Sequence, residues 1–147
     1  MGLMHLTRFT DYGLRTLIYL AVQDSGKRVT ISEITEAYDL SRDHVVKVVH
    51  KLGQLGYIET VRGKGGGFSL GMKPDAINIG NVIEDLEPSL DVVDCENPVC
   101  RISPGCRLKG ILHDATKAFM GVLGDYTLAD LVKRRQQTRD LLGIESD

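Results

Sequence analysis

The chain has 147 residues, 42% hydrophobic but only 5% aromatic and without tryptophan, which is long enough for one core with an appendage. Its formal net charge of −2 hides an uneven distribution: residues 1–70 carry +2, residues 71–100 carry −6 and residues 101–147 carry +2. The acidic middle discourages promiscuous anion binding and leaves the N-terminal part free to meet phosphate. The absence of a membrane-length apolar run or a signal peptide argues for a reducing cytoplasmic setting and no membrane partner.

In chain order, residues 6–23 predict a first helix starting at Thr10, whose hydroxyl caps the open amides of the first turn, with Asp11 as the acid favoured there. Leu14, Leu17, Ile18, Ala21 and Val22 form one apolar stripe, and residues 25–28 break it. Residues 31–38 predict a short amphipathic helix with Ile34 and Ala37 inward, and Asp39-Leu40 makes the turn. Ser41 then caps a second helix that turns Val45, Val48, Val49 and Leu52 to the core. Its opposite face carries Arg42, Asp43, His44, Lys47 and Gln54, with His50 and Lys51 at the edge. Two short helices with a tight turn, the second opening on long polar side chains, match a helix-turn-helix that enters the DNA major groove. Many such pairs merely pack, and a charged face is usually only solvated.

The following segment strengthens the nucleic-acid reading. Residues 57–61 alternate like a strand, residues 62–67 form the loop Arg-Gly-Lys-Gly-Gly-Gly, and residues 68–70 return as a second strand. A hairpin directly after a recognition helix makes a winged helix. At its tip Arg62 and Lys64 supply positive charge, while glycine lets the backbone come close to a sugar-phosphate surface or a narrow minor groove. A nucleotide-binding loop is excluded, because Gly63-Lys64 is followed by glycine rather than Ser or Thr and no βαβ unit surrounds it. The candidate DNA-binding residues are therefore Ser41, Arg42, His44, Lys47, Lys51, Arg62 and Lys64.

Residues 77–86 predict a helix stopped by Pro88, leading into DVVDCENPVCRISPGCRL, which holds all three cysteines of the chain, Cys95, Cys100 and Cys106. Pro98, Pro104 and Gly105 make this an irregular loop. Its polar neighbours disfavour cysteine as mere core filling, and an odd count in a reducing setting disfavours a lasting disulfide framework. Zinc wants four ligands at closer spacing, and His113 sits seven residues past Cys106, about 10 Å along a helix. Iron-sulfur chemistry suits the loose spacing better, with one ligand still missing. After the loop, Leu108, Ile111, Leu112, Ala115, Phe119, Val122 and Leu123 recur at near-heptad spacing, which predicts a long helix that pairs with a second copy of the chain. Thr127 caps a last helix with Asp130 at its third position, and the polar tail from Gln136 is expected to fray. The expected divisions are a winged-helix domain over 1–75, a connecting helix and cysteine loop over 76–107, and a dimerisation helix with a C-terminal helix over 108–147. The fold class is mainly α with a small β-hairpin wing, and no catalytic set is assembled.

The segments LTRFTDYGLR, SRDHVVKVVHKLGQLGYI, VRGKGGGFSL, the cysteine loop and YTLADLV, in this order, make the chain resemble the iron-sulfur winged-helix repressors over nearly its whole length, most closely their nitric-oxide-sensing branch. The resemblance implies a cytoplasmic homodimer on double-stranded operator DNA, with nitric oxide as its signal. It also implies one cluster per subunit, 4Fe-4S with 2Fe-2S as the alternative, held by Cys95, Cys100 and Cys106 with Asp11 of the other subunit as fourth ligand. Cluster-assembly regulators of the same family place a histidine three residues after the last cysteine, where this chain has Lys109. Two readings compete: a thiol-redox DNA-binding regulator without a cluster, and an iron-sulfur electron carrier.

Overall fold

The computed structural model describes residues 5–145; the outermost ends of the first and last expected divisions lie outside the described residues. It is mostly helical: α1 (Arg8–Ala21), α2 (Ile31–Tyr38), α3 (Arg42–Gln54), the strands β1 (Ile58–Val61) and β2 (Gly67–Leu70), then α4 (Ile79–Leu86), α5 (Arg107–Leu123), α6 (Leu128–Leu131) and α7 (Arg135–Leu141). The two strands pair antiparallel, Ile58 opposite Leu70 and Val61 opposite Gly67. This is the winged helix-turn-helix that the periodicity predicts.

Apolar spacing explains why the first three helices assemble. Leu17 of α1, Ile34 of α2, and Val45, Val48 and Leu52 of α3 all point into one core, which Ile58 and Phe68 of the hairpin close from the side. Val82 and Ile83 of α4 and Leu128 of α6 enter the same core, so the C-terminal part packs back onto the winged helix. Backbone pairing reinforces this return: Ile79 N donates to Tyr126 O at 3.0 Å and Leu128 N to Ile77 O at 2.9 Å.

Three expectations need correction. The first helix begins at Arg8, two residues before the expected start at Thr10, because Thr7 rather than Thr10 supplies the capping oxygen, at 3.3 Å from Thr10 N. Without a capping role, the Thr10 hydroxyl, which is buried, donates to Glu87 instead. The last predicted helix is split: Thr127 and Asp130 do form the capping box, but α6 runs only from Leu128 to Leu131. Nor does the tail fray from Gln136. Residues 135–141 form α7, whose Arg139 is 1% exposed and donates to Val22 O at 2.6 Å and Glu145 O at 3.0 Å. A guanidinium with carbonyl partners on two sides holds a polar helix that has little apolar surface of its own.

The core makes a direct prediction. Leu17→Ala should lower unfolding stability in a denaturant titration by about 2–5 kcal/mol, whereas Leu141→Ala, at a position 80% exposed, should change it by less than about 0.5 kcal/mol.

Candidate nucleic-acid interface and cysteine loop

Helix α3 and the hairpin tip present the predicted basic side chains together with little internal competition for them. Ser41 occupies the cap position of α3, yet its hydroxyl makes no cap bond. Arg42, His44 and Lys47 are exposed on the first turns of α3, while Lys51 is half-buried in the last turn, where its charge also suits the helix C-terminus. Arg62 and Lys64 are exposed on the tip. Among the described residues none of Arg42, Lys47, Lys51, Arg62 and Lys64 forms an ion pair. Cations without a carboxylate partner are available to phosphate.

The tip owes its shape to glycine. Gly66 N donates to Gly63 O at 2.9 Å, and a Cβ on Gly66 would fall 2.4 Å from Val61 O. Gly67 has φ +141°, and a Cβ there would meet Val29 O at 2.6 Å. That close approach lets Val29 act as a third strand of one residue: Val29 N donates to Phe68 O and Phe68 N to Val29 O, both at 2.8 Å.

A groove of about 500 Å³ runs between the helix pair and the hairpin, lined by Thr30, Ser32, Arg42, Val46, His50 and Thr60 among others. Several of these residues escaped the sequence reading. Ser32 accepts from Arg42 Nη1 at 3.0 Å, and Arg28 reaches Gly65 O at 3.4 Å as a third cation at the tip. Val46 is an exposed apolar side chain on the groove side of α3, chemically suited to a thymine methyl group. Arg28 could have been found from the basic pair before Val29; Val46 had no signal, since valine on an amphipathic helix reads as core.

Asp11 lies in the first turn of α1 and is held by Arg15, one turn on, through Oδ1 to Nε at 3.0 Å and Oδ2 to Nη2 at 2.9 Å. Arg15 in turn lies 6.0 Å from the Tyr12 ring centroid and 5.8 Å from that of Tyr38, and the Tyr12 ring is 6.0 Å from His44 on α3. Burial pushes the Tyr38 phenol up to about 12, against the opposing pull of Arg15, so its hydroxyl stays protonated and donates to Arg15 O at 2.9 Å. The sequence reading missed Arg15, although its four-residue offset from Asp11 was a usable signal.

The cysteine loop is irregular, as its prolines and glycine predict, with a cis Asn97–Pro98 bond and a short 3-10 turn at Ser103–Gly105. All three cysteines are free thiols and half-buried. Cys100 N donates to Cys95 O at 2.9 Å, and Asp94 Oδ1 accepts from the amides of Glu96 and Asn97 at 2.9 and 3.0 Å, so Cys95 stands inside a local turn. Cys106 occupies the cap position of α5. An open-sided hollow of about 1210 Å³ between the loop and α5 has Cys95, Cys106, Lys109 and His113 on its wall, whereas Cys100 is not part of it. Among the described residues no three His, Cys, Asp or Glu side chains converge closely enough to hold a metal ion. The donor set nevertheless fits a thiophilic cluster: three reduced thiols on one loop, free of helical constraint, two of them facing one hollow.

The loop is fastened to α1 at its root. Glu87, the residue after α4, accepts from Thr7 N at 3.1 and 3.2 Å, from Thr7 Oγ1 at 2.8 Å and from Thr10 Oγ1. On α5, Leu108, Ile111, Phe119 and Val122 are 59%, 56%, 50% and 60% exposed, so these four positions of the heptad-like stripe have no cover among the described residues.

A hairpin wing beside an exposed basic helix of this kind defines a winged-helix DNA-binding protein. Residues 6–134 match the model of the Rrf2 family, described as iron-dependent transcriptional regulators. The chain belongs to that family. It is 47% identical over 145 residues to the HTH-type transcriptional regulator NsrR of Bacillus subtilis, covering 97% of this chain and 99% of the relative. Among solved structures it is similar to T. potens IscR, with TM-score 0.73 and 27% identity over 95% of this chain and 93% of that one. It is also similar to CymR, the global cysteine regulator of B. subtilis, with TM-score 0.69 and 27% identity over 88% and 97% of the two chains. The protein is thus a transcriptional regulator and not an enzyme. No described helix is long and apolar enough to cross a membrane.

The Asp94 turn has a testable pH dependence. Amide bonds from Glu96 and then Asn97 hold the Asp94 carboxyl below the usual aspartate range, so the turn is stabilised above the unfolded value, about 3.9, and loses that support as pH falls through the depressed one. The amide resonances of Glu96 and Asn97 should therefore move together below about pH 3.9 and stay fixed between pH 5 and 7, which a heteronuclear NMR titration would read.

Proposed function

We propose that the protein is a cytoplasmic, homodimeric repressor that holds double-stranded operator DNA while an iron-sulfur cluster is bound and lets go in response to nitric oxide. The observation that carries this reading is the Glu87 clasp, because the root of the cysteine loop and the first turn of α1 are one hydrogen-bonded unit, and α1 packs directly on α3. What changes the loop is felt at the reading helix. The similarity to NsrR and the family's description as iron-dependent regulators support the same reading.

In this proposal Cys95, Cys100 and Cys106 hold one cluster per subunit, 4Fe-4S with 2Fe-2S as the alternative, and the partner subunit's Asp11 completes the set. When bound, the cluster supplies iron that combines with nitric oxide. A carboxylate is a harder and more weakly held ligand for such iron than a thiolate. Within its own chain Asp11 is held by an exposed ion pair with Arg15, which is weak enough to exchange for another partner. The α5 stripes of two chains would cover each other: at about 1.5–3 kcal/mol per buried side chain, the four exposed ones named above suffice for a dimer. Functionally, residues 1–75 read DNA, 76–107 sense and 108–147 pair the subunits. Ser41, Arg42, His44 and Lys47 would enter the major groove with Lys51 at its edge, while Arg62 and Lys64 meet the flanking backbone or minor groove.

A second reading, a thiol-redox regulator without a cluster, is favoured by one observation: among the described residues of a single chain no three donors converge. Membership in a regulator family weighs against the electron-carrier alternative.

Anaerobic purification should yield a coloured protein with iron and acid-labile sulfide, and titrating nitric oxide into it during a gel shift should lower operator occupancy at least about a hundredfold. Unchanged affinity after full reaction would reject nitric-oxide sensing, and an iron-free, colourless protein that binds DNA would favour bare thiols. Asp11→Ala should leave a dimer, by sedimentation, whose cluster absorbance decays faster than the parent's. An identical lifetime would confine Asp11 to its role beside Arg15.

A further inference from the structure

The C-terminal helix grips the exit of α1 residue by residue. Arg139 Nη1 donates to Val22 O at 2.6 Å, and Arg135 Nη2 donates to Gln23 O at 3.1 Å and to Asp24 Oδ1 at 3.0 Å. Arg139 Nη1 also lies 3.6 Å from Asp24 Oδ1. Three successive residues are therefore held from α7. The grip is specific, since α7 is otherwise almost wholly exposed and a buried guanidinium is tolerated only where partners replace its water.

What lies beyond the grip is the wing. Only residues 25–28 separate Asp24 from Val29, and they are folded back by Lys27 N donating to Asp24 O at 3.1 Å and by Gly26 at φ +82°. Val29 is bonded in both directions to Phe68 of β2, and Arg28 reaches Gly65 O at the tip. A turn so short and so tightly closed leaves little slack between its ends. The position of residues 22–24 is passed on to the hairpin.

We propose that Arg139 is a positioning residue for the wing: without touching DNA, it sets where Arg62 and Lys64 stand by fixing residues 22–24, and through them the Val29–Phe68 pairing. The inference rests on the reading of the wing tip as a DNA contact, and concerns a residue some 75 positions away in sequence from that tip.

The test uses the full chain and a duplex selected from random sequence by the parent protein. Arg139→Gln is compared with the Arg62→Ala/Lys64→Ala double variant and with the combination of the three. Arg139→Gln should speed hydrogen exchange at the amides of Val29 and Phe68 while leaving those of Val48 and Val49 in α3 unchanged, and should weaken DNA binding about fivefold. That loss should vanish in the background lacking the wing charges, because the effect passes through them. Unaltered exchange at Val29 and Phe68, or an equal loss of affinity in both backgrounds, would overturn the proposal. If Arg139→Gln fails to fold, Asp24→Asn at the exposed end of the same grip goes through the same measurements under the same criteria. If Arg62→Ala/Lys64→Ala alone leaves affinity unchanged, the reading of the tip as a DNA contact falls and the proposal falls with it. A charge variant that weakens binding without coupling to Arg139→Gln sinks the proposal alone.

Discussion

One carboxylate ties the two halves of the molecule together. Glu87 ends α4, begins the cysteine loop and accepts the open hydrogen-bond donors at the start of α1. The first turn of any helix has amides without intrahelical partners, and here a side chain from 77 to 80 positions away meets those needs together with the threonine hydroxyls. The loop cannot shift at its root without disturbing the helix on which α3 is packed. The extended backbone at Glu87, before Pro88, aims the chain out of α4 and into the loop.

From that tie the architecture divides its labour. The core of α1, α2, α3 and the hairpin is complete within the chain, because each element buries an apolar face against the others. Helix α5 is different: it leaves much of its apolar side bare and, among the described residues, reaches the core only where Met120 and Leu123 lean against it. The cysteine loop lies between these two regimes, rooted in the finished core and bordering the unfinished helix. Such a place suits the proposed sensing role, since local rearrangement there need not cost the stability of the winged helix.

Periodicity and turn chemistry are local, and what depended on them was readable from the chain itself. The bounds of α2, the inward valines of α3, the glycine tip and the capping box of Thr127 and Asp130 all follow from residues within a few positions of one another. The errors lay where a distant partner decides. Thr10 looked like a cap because Glu87 could not be foreseen as its acceptor, and the tail looked mobile because the carbonyl of Val22 is 117 positions from Arg139. The single-residue strand at Val29 was invisible for the same reason, as one residue has no period. For the cysteines, spacing and composition marked the loop as chemical. The part assigned to Asp11 came from family resemblance alone, because nothing in its helix-start setting distinguishes a ligand from an ordinary acid.

The hairpin tip separates shape from charge. Gly66 and Gly67 are fixed by backbone atoms a few ångströms away, whereas the side chains of Arg62 and Lys64 stand in open solvent. In the proposed reading, drift at the two charged positions retunes the strength of attachment to promoters by small steps, with the scaffold indifferent to the change. The glycines allow no such gradation, so a lineage adjusting its sensitivity would be expected to keep the bend and vary its ornaments.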